Sequence, residues 1–237
     1  MTHDTVFISD VHLGTDRCNT DKFLKFLNQL DTKKLVMVGD IIDIYCMEKH
    51  NTLWKTQHTK AVEKILELSR KGTEVVYILG NHDAVARKYV NISSSYLHQN
   101  LIICDSYIHH STENRKFLCI HGDFYSEFSS GSWKQYFMNW GYETITPLNI
   151  FLNKTFGFSL INFLKSIPRG KKFIDKYEMD LIHHVKRIGE YDGVIAGHIH
   201  HANIREYQGT TYMCAGDWTD TCSALVEKDG VFEIIKY

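Results

Sequence analysis

Three histidines in five residues, His198, His200 and His201, follow the apolar run at residues 192–196 near the end of the chain. Imidazole is a common metal ligand, but it is also common at protein surfaces, so the cluster is informative only together with the rest of the chain. Four earlier apolar runs also end in residues that can bind metals or carry protons. Those residues are Asp10 and His12 in DVH, Asp40 in GDIID, Asn81 and His82 in GNHD, and His121 in HGD.

The runs before these motifs are short and rich in β-branched residues, which predicts five strands. Helical patterns separate the early strands, one after Thr20 as a predicted N-cap and another over residues 61–68, and they indicate parallel βαβ connections. The C-terminal part instead predicts hairpins that turn at residues 208–209 and 229–230. We therefore expect an α/β fold with a mixed β-sheet and flanking helices.

The ends of the five predicted strands are where ligands collect in α/β folds, because carboxyl ends of parallel strands meet at one edge of a sheet. If the strands are neighbours, two carboxylates, one amide and four imidazoles converge there. This set of oxygen and nitrogen ligands suits two divalent metal ions of intermediate hardness, with Mn²⁺ the first expectation and Fe or Zn the alternatives. The predicted ligands are Asp10, His12, Asp40, Asn81, His121, His198 and His200.

The order of the motifs DVH, GDIID, GNHD, HGD and GHIH, over most of the chain, resembles the calcineurin-like metallophosphoesterase superfamily. The resemblance implies a four-layer sandwich of mixed β-sheets flanked by helices, with a helical cap insert. It implies that Asp40 bridges the metals and that His82 is the catalytic residue near the leaving group. The implied ligands are Asp10, His12 and His200 for one metal and Asn81, His121 and His198 for the other.

Aspartates next to the predicted ligands could orient the imidazoles through hydrogen bonds. Asp43, Asp83 and Asp123 are predicted in this role. Aspartates at such positions also stabilise turns or cap helices, and the sequence leaves that alternative open.

A narrower resemblance lies in the C-terminal third. Residues 191–227 are similar to UDP-2,3-diacylglucosamine pyrophosphatases of lipid A synthesis and their close relatives, and GDIID and GNHD fit the same group. The resemblance implies hydrolysis of a phosphoanhydride bond in a nucleotide-sugar lipid, giving UMP and a lipid 1-phosphate. One position departs, because the best-known branch has arginine where this chain has His82. A phosphodiesterase or phosphatase acting on another phosphate ester stays open as the alternative.

Residues 124–190 interrupt the strand rhythm of a predicted single domain over 1–237 and read as a helical insert that caps the site. Many of its side chains are apolar, and a basic cluster follows them. This combination suits an acyl-chain pocket beside a phosphate, or a membrane surface, whereas ordinary core packing is the alternative. The predicted substrate contacts are Trp133, Lys165, Arg169, Lys171 and Lys172.

The composition restricts partners and compartment. Lys plus Arg number 27 against 28 for Asp plus Glu, a balance that argues against a nucleic-acid binder. The six cysteines form no CxxC and are expected to be reduced. We see neither a signal-peptide pattern nor an apolar run of membrane-spanning length. We therefore expect a cytoplasmic protein, with peripheral contact at the inner membrane surface as one role for the insert; the sequence does not indicate an oligomeric state.

Overall fold

The computed structural model describes residues 2–50, 52–89, 100–125, 145, 148–153 and 155–237. Its helices are α1 (Thr20–Gln29), α2 (Ile44–His50), α3 (Thr56–Arg70), α4 (Leu160–Ser166) and α5 (Pro168–Ile188). Its strands are β1 (His3–Ile8), β2 (Thr32–Val38), β3 (Glu74–Ile78), β4 (Leu101–Cys104), β5 (Tyr107–His110), β6 (Lys116–Cys119), β7 (Gly193–Ala196), β8 (Asn203–Tyr207), β9 (Thr210–Cys214), β10 (Ser223–Lys228) and β11 (Val231–Lys236).

The strands form two mixed sheets. The first has the order β11-β10-β1-β2-β3-β4, in which β1 to β4 run parallel and the β10–β11 hairpin pairs antiparallel with β1. The second has the order β5-β6-β7-β9-β8, with parallel pairs at its centre and antiparallel pairs at both edges. The predicted mixed α/β architecture is confirmed.

Three apolar clusters hold four layers together. Between the sheets, Phe7 and Val36 of the first pack with Phe117 and Met213 of the second. On the outer face of the first sheet, the cluster includes α1 and α3. On the outer face of the second sheet, residues of α5, such as Leu181, are fully buried. The order helix, sheet, sheet, helix is the sandwich that the sequence resemblance implies.

Local sequence explains two turns and one helix start. Both predicted hairpins form, and residues 208–209 and 229–230 all have positive φ, as a two-residue type I′ turn requires. Helix α1 begins at Thr20, but its N-cap is Asn19, whose side chain accepts a hydrogen bond from the Lys22 N–H. The predicted cap was therefore one residue too late. All six cysteines are free thiols, as expected.

The predicted insert at 124–190 is described only in part. Its helix α5 packs on the second sheet and forms one of the four layers. Residues 148–153 are helical. Together with residues 155–158 and α4, they carry apolar side chains that are exposed: Leu148, Phe151, Phe156, Phe158, Phe163 and Leu164. The boundaries 124–190 stay a prediction. Within the described ranges, no helix combines the length and apolar character needed to cross a membrane.

The apolar layer between the sheets leads to a stability prediction. Phe117 is fully buried there and packs against Phe232 at a centroid distance of 5.1 Å. We expect Phe117→Ala to lower the free energy of unfolding by about 3–5 kcal/mol, because it removes a buried ring and leaves a cavity. Val231→Ala, at a side chain that is 66% exposed, is the control and should change stability by about 0.5 kcal/mol or less. Denaturant unfolding measures both, and equal losses would contradict this account of the core.

Candidate metal centre

The predicted ligands lie in loops that directly follow strands at one edge of the two sheets. The loop after β1 is tied to the loop after β2, because the His12 N–H donates to the Asp40 carbonyl at 2.9 Å and the Asp10 N–H to Gly39 at 3.1 Å. The loop after β7 joins them, since the His198 N–H donates to Asp10 Oδ2 at 3.0 Å. Main-chain hydrogen bonds thus set the separation of the first two loops, and the Asp10 carboxylate ties the loop after β7 to them.

The first group of side chains consists of Asp10, His12 and His200. His200 Nε2 lies 3.2 Å from Asp10 Oδ1 and 3.4 Å from His12 Nε2. His12 Nδ1 lies 2.8 Å from the Asp43 carboxylate, and a proton on Nδ1 that is donated to this carboxylate leaves the Nε2 lone pair facing the group.

The second group consists of Asn81, His121 and His198. The Asn81 Oδ1 atom lies 3.2 Å from His121 Nε2 and 3.1 Å from His198 Nδ1. His121 Nδ1 lies 3.0 Å from the Val38 carbonyl, so it donates its proton there. Burial opposes charge on His121, but Asp40 raises its pKa to about 10, so a metal ion that binds Nε2 beside Asn81 displaces a proton.

Asp40 stands between the two groups. Its Oδ2 atom lies 3.3 Å from His121 Nε2 and 4.0 Å from His12 Nε2, and its Oδ1 atom accepts the His82 N–H at 2.8 Å. One carboxylate oxygen therefore faces nitrogens of both groups, which is the position that a bridging ligand requires.

These residues fit divalent metal ions. The Asp10 Oδ1 atom is buried and receives no hydrogen bond from the described part of the chain. The Nε2 atoms of His12 and His200 lie beside this buried carboxylate, and such a set of oxygen and nitrogen atoms suits a divalent cation. Three carboxylate–imidazole groups are close enough to hold an ion: Asp10, His12 and His200; Asp10, Asp40 and His121; and His12, Asp43 and His82.

In the third group, that of His12, Asp43 and His82, hydrogen bonds explain why the side chains lie close together. Asp43 is fully buried and accepts from His12 Nδ1 at 2.8 Å, from His82 Nδ1 at 2.7 Å and from the Cys46 N–H at 2.8 Å. These are the distances of charge-assisted hydrogen bonds. We therefore interpret Asp43 as the group that orients both imidazoles.

Burial and the local charges set the protonation of these side chains before any metal binds. Burial, aided by the positive charge of His121, lowers the pKa of His198 to about 3, and burial also lowers the pKa of His200. Both imidazoles are therefore neutral and able to act as ligands. Burial opposes charge on His82, but the Asp40 charge and the Asp43 hydrogen bond raise its pKa to about 11. His82 is thus a proton donor.

Unusual backbone geometry accompanies the ligands. Five of the seven predicted ligands have positive φ although none is glycine, at values between 50° and 72°. Such conformations cost energy and are typical of functional sites. The five are Asp10, His12, Asp40, His198 and His200.

Two motif glycines allow side chains to approach the loops. A Cβ at Gly39 would lie 2.2 Å from His121 Nδ1, and φ there is +82°. A Cβ at Gly80 would lie 2.2 Å from Asp40 Oδ1. Any side chain at either position would displace a predicted ligand, which explains why the aspartate and asparagine of GD and GN follow glycine.

The remaining predicted residues have different surroundings. Asp83 accepts hydrogen bonds from Tyr77 Oη at 2.6 Å and from the main-chain N–H groups of Ile41 and Gly80, the turn-stabilising role that the sequence left open. Asp123 lies 3.9 Å from Arg87. His201, which is not among the predicted ligands, is half-buried.

The predicted basic contacts lie in two different surroundings. Lys165 Nζ donates to the His200 carbonyl at 2.5 Å and so lies beside the centre. Arg169, Lys171 and Lys172 are exposed on the first turns of α5, and Trp133 lies outside the described residues.

Sequence reasoning missed two supports of the centre. The Val38 carbonyl orients His121, and no sequence pattern reveals a main-chain acceptor. Tyr177 of α5 is buried and donates from its hydroxyl to the Gly197 carbonyl at 3.3 Å. Its position on the buried face of a predicted helix was the only available signal.

Comparison with known proteins identifies the family of this chain. The family model for calcineurin-like phosphoesterases matches residues 4–202. A relative named UDP-2,3-diacylglucosamine hydrolase, from Histophilus somni strain 129Pt, is 26% identical over 246 aligned positions that cover 98% of this chain and 99% of the relative. The solved structure of a phosphoesterase from E. coli, Yfce, aligns with a TM-score of 0.51 at 14% identity, covering 98% of this chain and 91% of that one, and supports the fold.

The bridging position of Asp40 leads to a prediction about metal content. Asp40→Ala should lose both metals more readily than His198→Ala, because Asp40 faces both groups whereas His198 belongs to one. The matched control is Asp31→Ala, at an exposed aspartate after α1. Elemental analysis of the purified variants gives metal per chain. Two metals retained in Asp40→Ala, or none in active wild-type protein, would contradict the assignment.

Proposed function

Because this chain belongs to the calcineurin-like phosphoesterase family, we propose that it is a metal-dependent hydrolase of a nucleotide-sugar lipid. It would cleave the phosphoanhydride bond of a substrate such as UDP-2,3-diacylglucosamine and release UMP and a lipid 1-phosphate. The observation that carries the proposal is the apolar surface formed by the exposed side chains of Phe151, Phe156, Phe158 and Phe163. The chain continues from this surface to Lys165, whose amine contacts the loop of the metal centre.

The described side chains supply the chemistry around the phosphate. The seven predicted ligands would hold two divalent ions, with Mn²⁺ our first choice, which when bound activate water and neutralise phosphate charge. Asp43 holds His82 by its Nδ1–H at 2.7 Å. The His82 Nε2–H can then donate to the leaving oxygen as negative charge grows there.

The apolar surface supports a lipid substrate. Phe151 and Phe156 are 58% and 70% exposed, with ring centroids 6.4 Å apart. Phe158 and Phe163 form a second pair at 6.2 Å, and Phe163 is 51% exposed. An exposed patch of this kind marks a binding surface for an apolar partner. We propose that acyl chains occupy it and that it contacts the inner membrane surface from which they come.

The names of relatives support the same substrate. The Histophilus somni proteins that align over nearly their whole length are named UDP-2,3-diacylglucosamine hydrolase. A second candidate is a phosphodiesterase or phosphatase acting on another phosphate ester. His82 favours it, because the best-known branch of the UDP-2,3-diacylglucosamine pyrophosphatases has arginine at this position. The two candidates share the metal chemistry and differ only in what the exposed surface binds.

The assignment of His82 leads to a prediction that applies to both candidates. His82→Ala should lower turnover by about 10²–10⁴-fold, the usual loss when an acid–base group is removed. Its metal content should match that of wild type, because His82 is not among the predicted ligands. His110→Ala, at an exposed histidine of β5, is the matched control. Loss of metal together with activity would make His82 a ligand instead.

The exposed aromatic residues lead to a second prediction. Phe151→Ala/Phe163→Ala should lower kcat/KM on UDP-2,3-diacylglucosamine by roughly 10–100-fold, because each lost ring removes apolar contact with an acyl chain. The same variant should hydrolyse bis(p-nitrophenyl) phosphate as wild type does.

The control for this prediction is Ile108→Ala, which trims a side chain that is 44% exposed on the β5 edge. It should leave both substrates unaffected, and unchanged melting temperatures verify folding. Equal losses on the two substrates, or no hydrolysis of the lipid by wild type, would reject the lipid in favour of the second candidate.

A further inference from the structure

A cavity of about 600 Å³ lies next to the metal centre, and none of the described residues lining it is a predicted metal ligand. Helices α4 and α5, strand β8 and the end of β11 supply its walls. Four cationic side chains from these four elements line it: Lys165, Lys171, Arg205 and Lys236. Residues from such distant parts of the chain meet only in the folded protein.

The acidic residues of the cavity are turned towards one of these cations. Arg205 Nη1 donates to Asp175 at 2.6 Å and to Glu178 at 3.1 Å, and Asn203 donates to the second Glu178 oxygen at 2.8 Å. Glu178 is buried and its carboxylate is fully engaged. Four cations against two carboxylates leave the lining with a formal charge of +2: the three lysines contribute +3, and Arg205 with its two carboxylates contributes −1.

Lys165 connects the cavity with the metal centre. It lines the cavity, and its amine donates to the carbonyl of His200. Lys165 therefore places a cationic side chain between the cavity and the centre.

We propose that this cavity is a second anion-binding site, separate from the metal centre, which takes a small molecule bearing a phosphoryl group. Its volume lies within the range of small-molecule sites, and polar side chains of Asn162, Ser166 and Thr221 add hydrogen-bonding groups to the lysines. The inference does not depend on the lipid substrate proposed above. The phosphoryl group could belong to a distal part of the substrate or to free phosphate.

The cavity also changes the sequence-based view of the basic cluster. Of the four predicted basic contacts, Lys165 and Lys171 line the cavity, whereas Arg169 and Lys172 are not among its described lining residues. Arg205 and Lys236 were not predicted, because neither belongs to the basic cluster of the insert.

The test is calorimetric titration of inorganic phosphate into the metal-loaded protein at constant ionic strength. Wild type should show binding at the metal centre and at the cavity. Lys171→Glu/Lys236→Glu should weaken the cavity event by about a hundredfold, roughly tenfold for each lost charged contact, and leave the other event unchanged.

The matched control is Lys25→Glu/Lys60→Glu, which makes the same change of net charge at exposed lysines of α1 and α3. It should bind phosphate at both sites as wild type does. The proposal is overturned if the two double variants bind phosphate with affinities within about twofold of each other at every site.

Kinetics distinguish the two sources of the phosphoryl group. If the substrate supplies it, Lys171→Glu/Lys236→Glu should raise KM for a phosphoanhydride substrate and leave KM for bis(p-nitrophenyl) phosphate unchanged. If free phosphate supplies it, both KM values should stay unchanged while the calorimetric loss persists. Because phosphate binding is measured without turnover, failure of the lipid assay leaves this test intact.

Discussion

The convergence of buried electron-pair donors at one edge of the two sheets is the constraint on which the rest of the structure depends. Carboxylate oxygens of Asp10 and Asp40 lie within 3.2–4.0 Å of imidazole nitrogens. Burying these carboxylates away from water is costly unless protons or cations balance their charge. Left-handed backbone at the ligand positions and the missing Cβ of Gly39 bring the groups together. The hydrophobic layers between and outside the sheets stabilise the fold against this local cost.

Much of the centre could be predicted from sequence because each ligand directly follows an apolar strand. The mixed α/β class and both hairpins were predictable for the same local reason, since alternation and turn residues act over a few positions. The hydrogen-bond partners of Asp83 could not be predicted from sequence. Whether a buried aspartate accepts from imidazoles or from main-chain N–H groups depends on which loops lie beside it, and these loops are distant in sequence. The acceptor for His121 is a carbonyl, which every residue carries, so sequence contains no signal for it.

Residues 124–190 show the limit of a helical apolar pattern. The pattern of α5 and that of residues 148–164 look alike in sequence, yet Leu181 is fully buried whereas Phe156 is 70% exposed. The difference is that α5 packs on the outer face of the second sheet, which buries its apolar side chains. Amphipathic periodicity therefore predicted the helix but not what its apolar face contacts. The predicted basic residues also differ in their contacts. Lys165 and Lys171 line the cavity together with residues of β8 and β11, whereas Arg169 and Lys172 are not among its described lining residues.

The pairing of β1 with both β2 and β10 has a consequence for synthesis on the ribosome. Asp10 bonds to His198, and His12 faces His200, across 188 residues in each case, and β10 completes the pairing of β1 later still. A nascent chain therefore carries Asp10, His12 and Asp40 long before their imidazole partners exist. A complete set of ligands exists only after His200 has been translated. Contacts of such long range fold slowly, so the order of synthesis itself delays stable metal capture until the native arrangement can form.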